Sequence, residues 1–321
     1  MAKILGVLVA AVVAWGSAAQ ADEHGRWQQL ENDPSCVVWS YFPQLNVTVT
    51  WSGACASGKA QGRGTQIWHY LEDEEWKEHR YTGEMKDGKR MGRGVYVWEN
   101  GDRYEGDWKD GKKHGRGVLV GANGNIYEGD FRDGKENGRG VKVWGPNSKG
   151  AGDKYEGDWK DGKEHGRGVL VWTNGDRYEG DWKDGKQNGR GVLVWVNGDK
   201  YEGDYKDDKR HGRGVYVFAN GDRYEGDYRN GKKHGRGVYV SADGDKYEGD
   251  YRNGKKHGRG VYVWANGSRY EGDWKDDKAN GSGTIWVRDG RSFSGYWTNG
   301  CFSDGERWAM VDTSKEACGF D

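Results

Sequence analysis

The sequence is short of the materials of an ordinary globular core. Apolar residues make up only 34% of its 321 positions, proline occurs three times, and no long hydrophobic run follows residue 16. No stretch carries a helical apolar period, which removes the helix N-terminus that a phosphate cradle would need behind any G-x-G pattern. Charge of neither sign prevails, with 50 Lys and Arg against 51 Asp and Glu, so no basic stripe offers itself to a nucleic acid backbone. Cysteine is absent between Cys55 and Cys301, which leaves no spacing suited to a metal site or a cytosolic redox motif. A mean hydropathy of -1.09 would ordinarily indicate disorder. Against that stand 13% aromatic residues, 18 of them tryptophan, with 57 glycines in no collagen period. Disordered chains are poor in aromatics, so the expectation is an ordered, glycine-tolerant fold with a thin core.

The first 21 residues read as a leader. Lys3 precedes the apolar run ILGVLVAAVVAWG, too short to span a bilayer comfortably, and the AQA ending at Ala21 suits a small-residue cleavage site. Export to a periplasm or the extracellular space is expected, with residues 22–50 forming an N-terminal cap hairpin. The four cysteines lie two near each end, which suits an oxidising compartment and two local disulfides, Cys36 with Cys55 and Cys301 with Cys318. In this reading CVVWSYF (36–42) and VTVTWSGAC (47–55) form the hairpin that brings the first pair together. Without Lys3 the remaining 49 basic and 51 acidic residues leave a formal charge of -2.

What the sequence does contain is one sentence written many times. YEGDYRNGKKHGRG at 247–260 returns with small changes at 224, 201, 178, 155 and 104. Tyr81, Tyr104, Tyr127, Tyr155, Tyr178, Tyr201, Tyr224, Tyr247 and Tyr270 open nine units, every gap being 23 residues except 28 between Tyr127 and Tyr155. A fixed period of this size means a repeat array. The longer gap holds GPNSKGAGDK (145–154), rich in turn formers and expected to bulge as a loop. Nine full units run from 81 to 292, degenerate units at Trp51 and Phe293 extend the array to 51–300, and residues 301–321 form a C-terminal cap.

Within one unit, VYVWANGSRYEGDW (261–274) sets Asn266-Gly267 between two alternating runs, the signature of a two-residue type I′ hairpin. That turn makes Val263 face Tyr270. One side of the sheet would then carry Val261, Val263, Tyr270, Gly272 and Trp274, and the other Tyr262, Trp264, Arg269, Glu271 and Asp273. The glycine between the tyrosine and the later aromatic lets a ring lie flat over the backbone. The expected repeat core is Tyr104, Trp108, Tyr155, Trp159, Tyr178, Trp182, Tyr247, Tyr270 and Trp274.

These residues resemble the MORN (membrane occupation and recognition nexus) repeat family, whose hallmark is a 23-residue unit opening YxGxW and followed by a glycine-containing loop and HGxG. The resemblance covers roughly 51–300. It implies an all-β architecture, an elongated single-layer twisted sheet of consecutive antiparallel hairpins, used for protein association, dimerisation and, as has been proposed, contact with anionic lipid. Eleven units of two strands at about 4.8 Å per strand give roughly 100 Å of sheet.

No catalytic, cofactor-binding or metal-ligating residue is assigned. His114, His165, His211, His234 and His257 share one place in the unit, filled elsewhere by Asn137, Asn188, Asn280 and Met91. Units ~10 Å apart cannot share a metal, and a turn with left-handed φ before glycine accounts for the His/Asn exchange. The acidic loops lack the DxDxDG spacing of a calcium site. Identical acids in nine copies would give nine equal sites, whereas an enzyme needs one differentiated pocket.

The informative set is the supposed outer row: Trp98, Trp144, Trp172, Trp195, Phe218 and Trp264, with Tyr216, Tyr239 and Tyr262 two residues earlier in their units. It reads either as a self-sufficient ladder, with Trp264 over the stem of Arg269, or as a docking strip. The functional expectation is a non-enzymatic scaffold of the cell envelope that binds a protein partner or itself. A glycan or peptidoglycan binder stacking sugars on the aromatic row is the alternative, and an anionic membrane-surface protein a second one that the near-neutral charge disfavours. No cofactor and no nucleic acid partner are expected.

Overall fold

The computed structural model describes residues 25–40, 47–72 and 74–320. The expected leader, residues 1–21, lies outside them. The chain divides into two compact units, Met1–Lys112 and Lys113–Asp321.

In the second unit the strands succeed one another in chain order, each antiparallel to the one before, up to Ser292–Trp297. The result is an open single layer of hairpins. One unit serves for all. Lys246–Arg252 and Lys255–Val263 are joined by Asn253 and Gly254, whose φ values of 53° and 95° make the type I′ turn. The Asn266-Gly267 pair does something else. The Trp264 amide donates to the Ser268 carbonyl at 2.9 Å, Gly267 donates back to the Trp264 carbonyl, also at 2.9 Å, and only Gly267 is left-handed (φ 88°). This is a three-residue loop with glycine in the αL position.

The odd loop length moves the register by one residue and corrects the faces expected from a two-residue turn. Tyr262 stands opposite Tyr270, Val263 opposite Arg269, Val261 opposite Glu271, Gly260 opposite Gly272 and Gly258 opposite Trp274. Because side chains alternate with period two, the slip exchanges the partners of every tyrosine. Tyr262 joins the core face, and the valines join the charged face.

A β-bulge completes each unit. Gly249 pairs with Gly260 but Asp250 with His257, so Gly258 and Arg259 are accommodated between them. Gly258 takes the left-handed conformation (φ 63°). His257 does not, which corrects the turn role expected of the histidines. The Asp250 carboxylate accepts the Arg259 amide at 3.2 Å, and its carbonyl accepts the Tyr247 hydroxyl at 3.1 Å. All nine unit-opening tyrosines, from Tyr81 to Tyr270, make this same i+3 bond to a carbonyl.

The tyrosine ring lies on the glycine pair: a Cβ built on Gly260 would sit 2.6 Å from Cε2 and Cζ of Tyr247. Rings then alternate edge to face along the sheet, Tyr247 to Trp274 at 5.3 Å, Trp274 to Tyr270 at 5.2 Å and Tyr270 to Trp297 at 5.2 Å. A column one ring thick thus buries Tyr247 and Tyr270 to 0% exposure without a second layer. The insertion keeps this order. Trp144 donates to the Asp153 carbonyl as Trp264 does to Ser268, Val143 still faces Lys154, and the extra residues bulge as a loop.

In the first unit the hairpin expected from 36–42 and 47–55 does not form. Val37–Ser40 pairs with Arg26–Gln29 and meets Lys59–Glu72 only through Val37 and Lys59, whereas Val47–Trp51 lies antiparallel to Lys59–Glu72. The other edge of Val47–Trp51 is taken by Glu31, whose amide donates to the Val49 carbonyl at 2.8 Å, and by Asn32, whose side chain bonds the Trp51 carbonyl and amide at 2.8 and 3.1 Å. Cys36 and Cys55 are nonetheless joined, as are Cys301 and Cys318. The last disulfide ties a short strand, Cys301–Ser303, to the helical turn Lys315–Cys318.

Candidate functional site

The aromatic face is occupied by its own side chains. Of the residues expected in the core, Tyr104, Tyr155, Tyr178, Tyr247 and Tyr270 are fully buried. Trp108, Trp159, Trp182 and Trp274 are nearly so. Each of those indoles donates to a glycine carbonyl on a neighbouring strand, Trp274 to Gly260 at 3.2 Å for example.

The expected docking row falls on this same face. Tyr216, Tyr239 and Tyr262 stand directly across from Tyr224, Tyr247 and Tyr270. Their hydroxyls donate to Asp199, Asp222 and Asp245 of the preceding unit, at 2.7 Å for the first and third. The other carboxylate oxygen of each aspartate accepts the amide of Ala219, Ala242 or Ala265, at 2.8 Å in every case. These tyrosine bonds, followed by the amide bonds, hold the Asp199 and Asp222 carboxyls below the usual range. Burial, then the bonded aspartate, pushes Tyr216 and Tyr239 up to about 12. Trp98, Phe218 and Trp264 lean on Tyr96, Tyr216 and Tyr262 at 4.5, 4.4 and 4.7 Å. Trp195 leans on Tyr216 at 5.3 Å, Trp144 lies under the Lys142 amine at 4.9 Å, and Trp172 is half-buried. The row is the rim of the core, not a bare strip on the opposite side. Trp264 does not cover Arg269, whose guanidinium lies 5.0 Å over Trp286 instead.

Sequence reasoning missed one residue of this face. The position before the His, Asn or Met of each unit varies among Arg, Lys, Glu, Gln and Ala, and only the register shows that it points at the rings. There the Lys233 amine lies 4.6 Å from Tyr224, 4.7 Å from Tyr239, 5.6 Å from Phe218 and 5.7 Å from Tyr251. Burial lowers its pKa to about 8. Asp277 and Asp222 oppose that shift, and the charges of Arg210 and Lys256 add to it.

The opposite face is the open one. Arg213, Arg236 and Arg259 extend from it with side chains 87%, 85% and 84% exposed, each near an aspartate of the next strand at 3.7–3.8 Å. Glu225, Glu248 and Glu271 form the adjoining row, paired with Arg223, Lys246 and Arg269. Exposed pairs of this kind hold little stability, about 0–1 kcal/mol each, so the charges remain available to a partner. A groove of about 960 Å³ runs over these rows from Arg213 to Gly295, and a second of about 540 Å³ lies between Arg167 and Gly226. At its C-terminal end the charge stops. Arg259, Val261 and Val263 are succeeded by Ser282, Thr284 and Trp286, and Arg269, Glu271 and Asp273 by Ser292, Ser294 and Tyr296. Among the described residues, the one group of three clustered metal-ligating side chains is Asp33 with Cys36 and Cys55, whose sulfurs are joined. No helix among the described residues is long and apolar enough to cross a membrane.

The repeating strand, bulge and glycine pattern is matched by the model of the MORN repeat nine times in succession, at 81–103, 104–126, 127–149, 155–177, 178–200, 201–223, 224–246, 247–269 and 270–290. The chain belongs to the MORN-repeat family. MORN repeats are non-catalytic units that generally serve interaction with proteins or membranes. No curated protein matches the chain. Among solved structures it is similar to the TCP domain of SAS-4 from Drosophila melanogaster, solved with a proline-rich motif of Ana2, at 16% identity and a TM-score of 0.29 over 48% of this chain and 81% of that one. It is also similar to a streptogramin B lyase at 12% identity and a TM-score of 0.14, over 79% and 88% of the two chains. Neither score bears on function.

Proposed function

We propose that this MORN protein is a non-enzymatic scaffold of the cell envelope that holds a protein partner, or a second copy of itself, against the open face of its hairpins. The observation that carries the reading is the division of labour between the faces. Every tyrosine and tryptophan of the repeat core is used by the aromatic side, while the rows of Arg213, Arg236, Arg259 and Glu225, Glu248, Glu271 stand over an uncovered groove. Alternating cations and anions at a hairpin spacing of ~10 Å give a surface with a specific charge register and no net attraction to polyanions. Two disulfides are compatible with export and suit an envelope setting. Their presence agrees with the leader read from residues 1–21.

Crosslinking in intact cells, followed by affinity isolation and mass spectrometry, tests the proposal. A discrete protein, or the chain itself, should be recovered. Reversing Arg213, Arg236 and Arg259 to Glu should abolish its capture while leaving the far-ultraviolet spectrum unchanged. Capture that survives the charge reversal, or flotation with anionic vesicles in place of any protein adduct, overturns the proposal.

A further inference from the structure

The last hairpin of the array breaks the charge register in a way that capping does not explain. A terminal repeat needs a polar outer face toward water. Ser282, Thr284 and Ser294 meet that need, but the same face also turns Trp286 and Tyr296 outward, 42% and 71% exposed. The register fixes the arrangement: Thr284 stands across from Ser294, with their hydroxyls 2.9 Å apart, Ser282 stands across from Tyr296, and Glu271 flanks Thr284. An aromatic platform therefore stands at each of two diagonal corners, with hydroxyls between them and a carboxylate at the side. Trp286, Ser282, Thr284 and Ser294 line the end of the open groove.

This composition selects its occupant. Ser282, Thr284, Ser294 and Tyr296 offer no countercharge to a charged polymer, the flanking Arg269 guanidinium over Trp286 is already paired with Glu271, and an apolar helix would bury hydroxyls without partners. A neutral sugar chain fits both features. Its pyranose rings present a C–H face to an exposed indole or phenol, and its rim hydroxyls exchange hydrogen bonds with side chains that both donate and accept. We infer that the terminal hairpin carries a binding site for a neutral oligosaccharide, with Trp286 and Tyr296 as stacking platforms. The site adjoins the charged rows assigned to a protein partner and shares Glu271 with them, but its two platforms and its hydroxyls lie beyond those rows.

Titration of the full chain with tetra-N-acetylchitotetraose and with cellotetraose, followed by tryptophan fluorescence and calorimetry at low and high sodium chloride, tests the inference. At least one of the two should bind saturably and with no salt dependence, because no ion pair is formed. Trp286→Ala and Tyr296→Ala should each weaken binding by about tenfold or more, and Trp286→Tyr should restore most of it. Trp308→Ala, an exposed tryptophan outside this hairpin, should bind as the parent does. Thermal melts of all four variants establish that they are folded. Absence of binding to both sugars overturns the inference, as does binding that survives both alanine variants or falls with salt.

Discussion

At the scale of the residue, the repeat is a tyrosine laid over two glycines and locked by its hydroxyl. Tyr247→Phe should cost about 1 kcal/mol, the worth of one hydrogen bond to the Asp250 carbonyl. Tyr247→Ala should cost about 3–5 kcal/mol, because it opens a cavity between Tyr251 and Trp274 that rigid backbone cannot close. Gly260→Ala should be as harmful as the second change, since its Cβ would enter the ring. Urea titration of the three variants, with tyrosine to phenylalanine the mildest, is the expected order. The glycine role was legible because a glycine two residues from an aromatic on one strand shares its face and leaves backbone bare for the ring to cover. Lys233 was not legible. A lysine in a polar string reads as solvated until the register shows the ring cage. Its folded pKa of about 8 lies below the usual lysine value. The unfolded chain therefore binds the extra proton between those two values, and the native state is penalised below pH 8 and recovers as pH rises. Lys233→Met should melt higher than the parent at pH 7, and the gap should narrow between pH 8 and 10. A gap that widened with pH would show that the amine is not desolvated.

Hairpins are the next scale, and here the sequence misled in an instructive way. Both Asn-Gly and Asp-Gly pairs flank alternating runs, and either can make a type I′ turn. The difference lies one residue further on. After Gly244 comes Asp245, whose carboxylate reaches the amide of Ala265 and the hydroxyl of Tyr262 in the next unit. That bridge holds the longer loop open, and the tight turn is left to pairs such as Asn253-Gly254. The one-residue difference is what set the valines and the tyrosines on unexpected faces, so the element type and period were readable where the facing was not. The bridging aspartates also give the array a pH limit. Asp199 and Asp222 titrate below the ordinary carboxylate range, so the stability they hold is fully present above about pH 4 and is lost as pH falls through their lowered native values. The double variant Asp199→Asn, Asp222→Asn should lose about 1–3 kcal/mol per site at neutral pH. Its acid-unfolding profile should be shallower than that of the parent. An unchanged acid midpoint and slope would remove these bridges from the account.

At the scale of a whole compact unit, the column of rings that runs through the second one from Tyr127 to Trp297 is weakest where it stops, because each ring within it is covered by a neighbour on each side. The C-terminal segment supplies the missing neighbour. Phe302 lies 5.4 Å from Trp297 and 6.2 Å from Phe293, the Val311 amide donates to the Gly300 carbonyl at 2.8 Å, and Asp312 accepts the Lys256 amine at 2.6 Å. The Cys301–Cys318 disulfide closes that segment on itself. In the first unit, Cys36 is buried and tied to Cys55. Placing all four cysteines at the two ends of the sequence made this legible, since only the ends need a covalent staple. The detailed capping contacts were not, because Phe302 and Asp312 fall outside the repeat and carry no period. A loop of this length contributes about 3 kcal/mol in the chain-entropy model. Repeat arrays respond locally, since each unit answers mainly to its neighbours. Reduction should therefore raise amide exchange at residues 26–60 and 293–318 while leaving the strands from Lys154 to Val240 protected. Exchange that rises uniformly along the chain would mean that the array melts as one cooperative body. In that case each disulfide would hold more than the segment it closes.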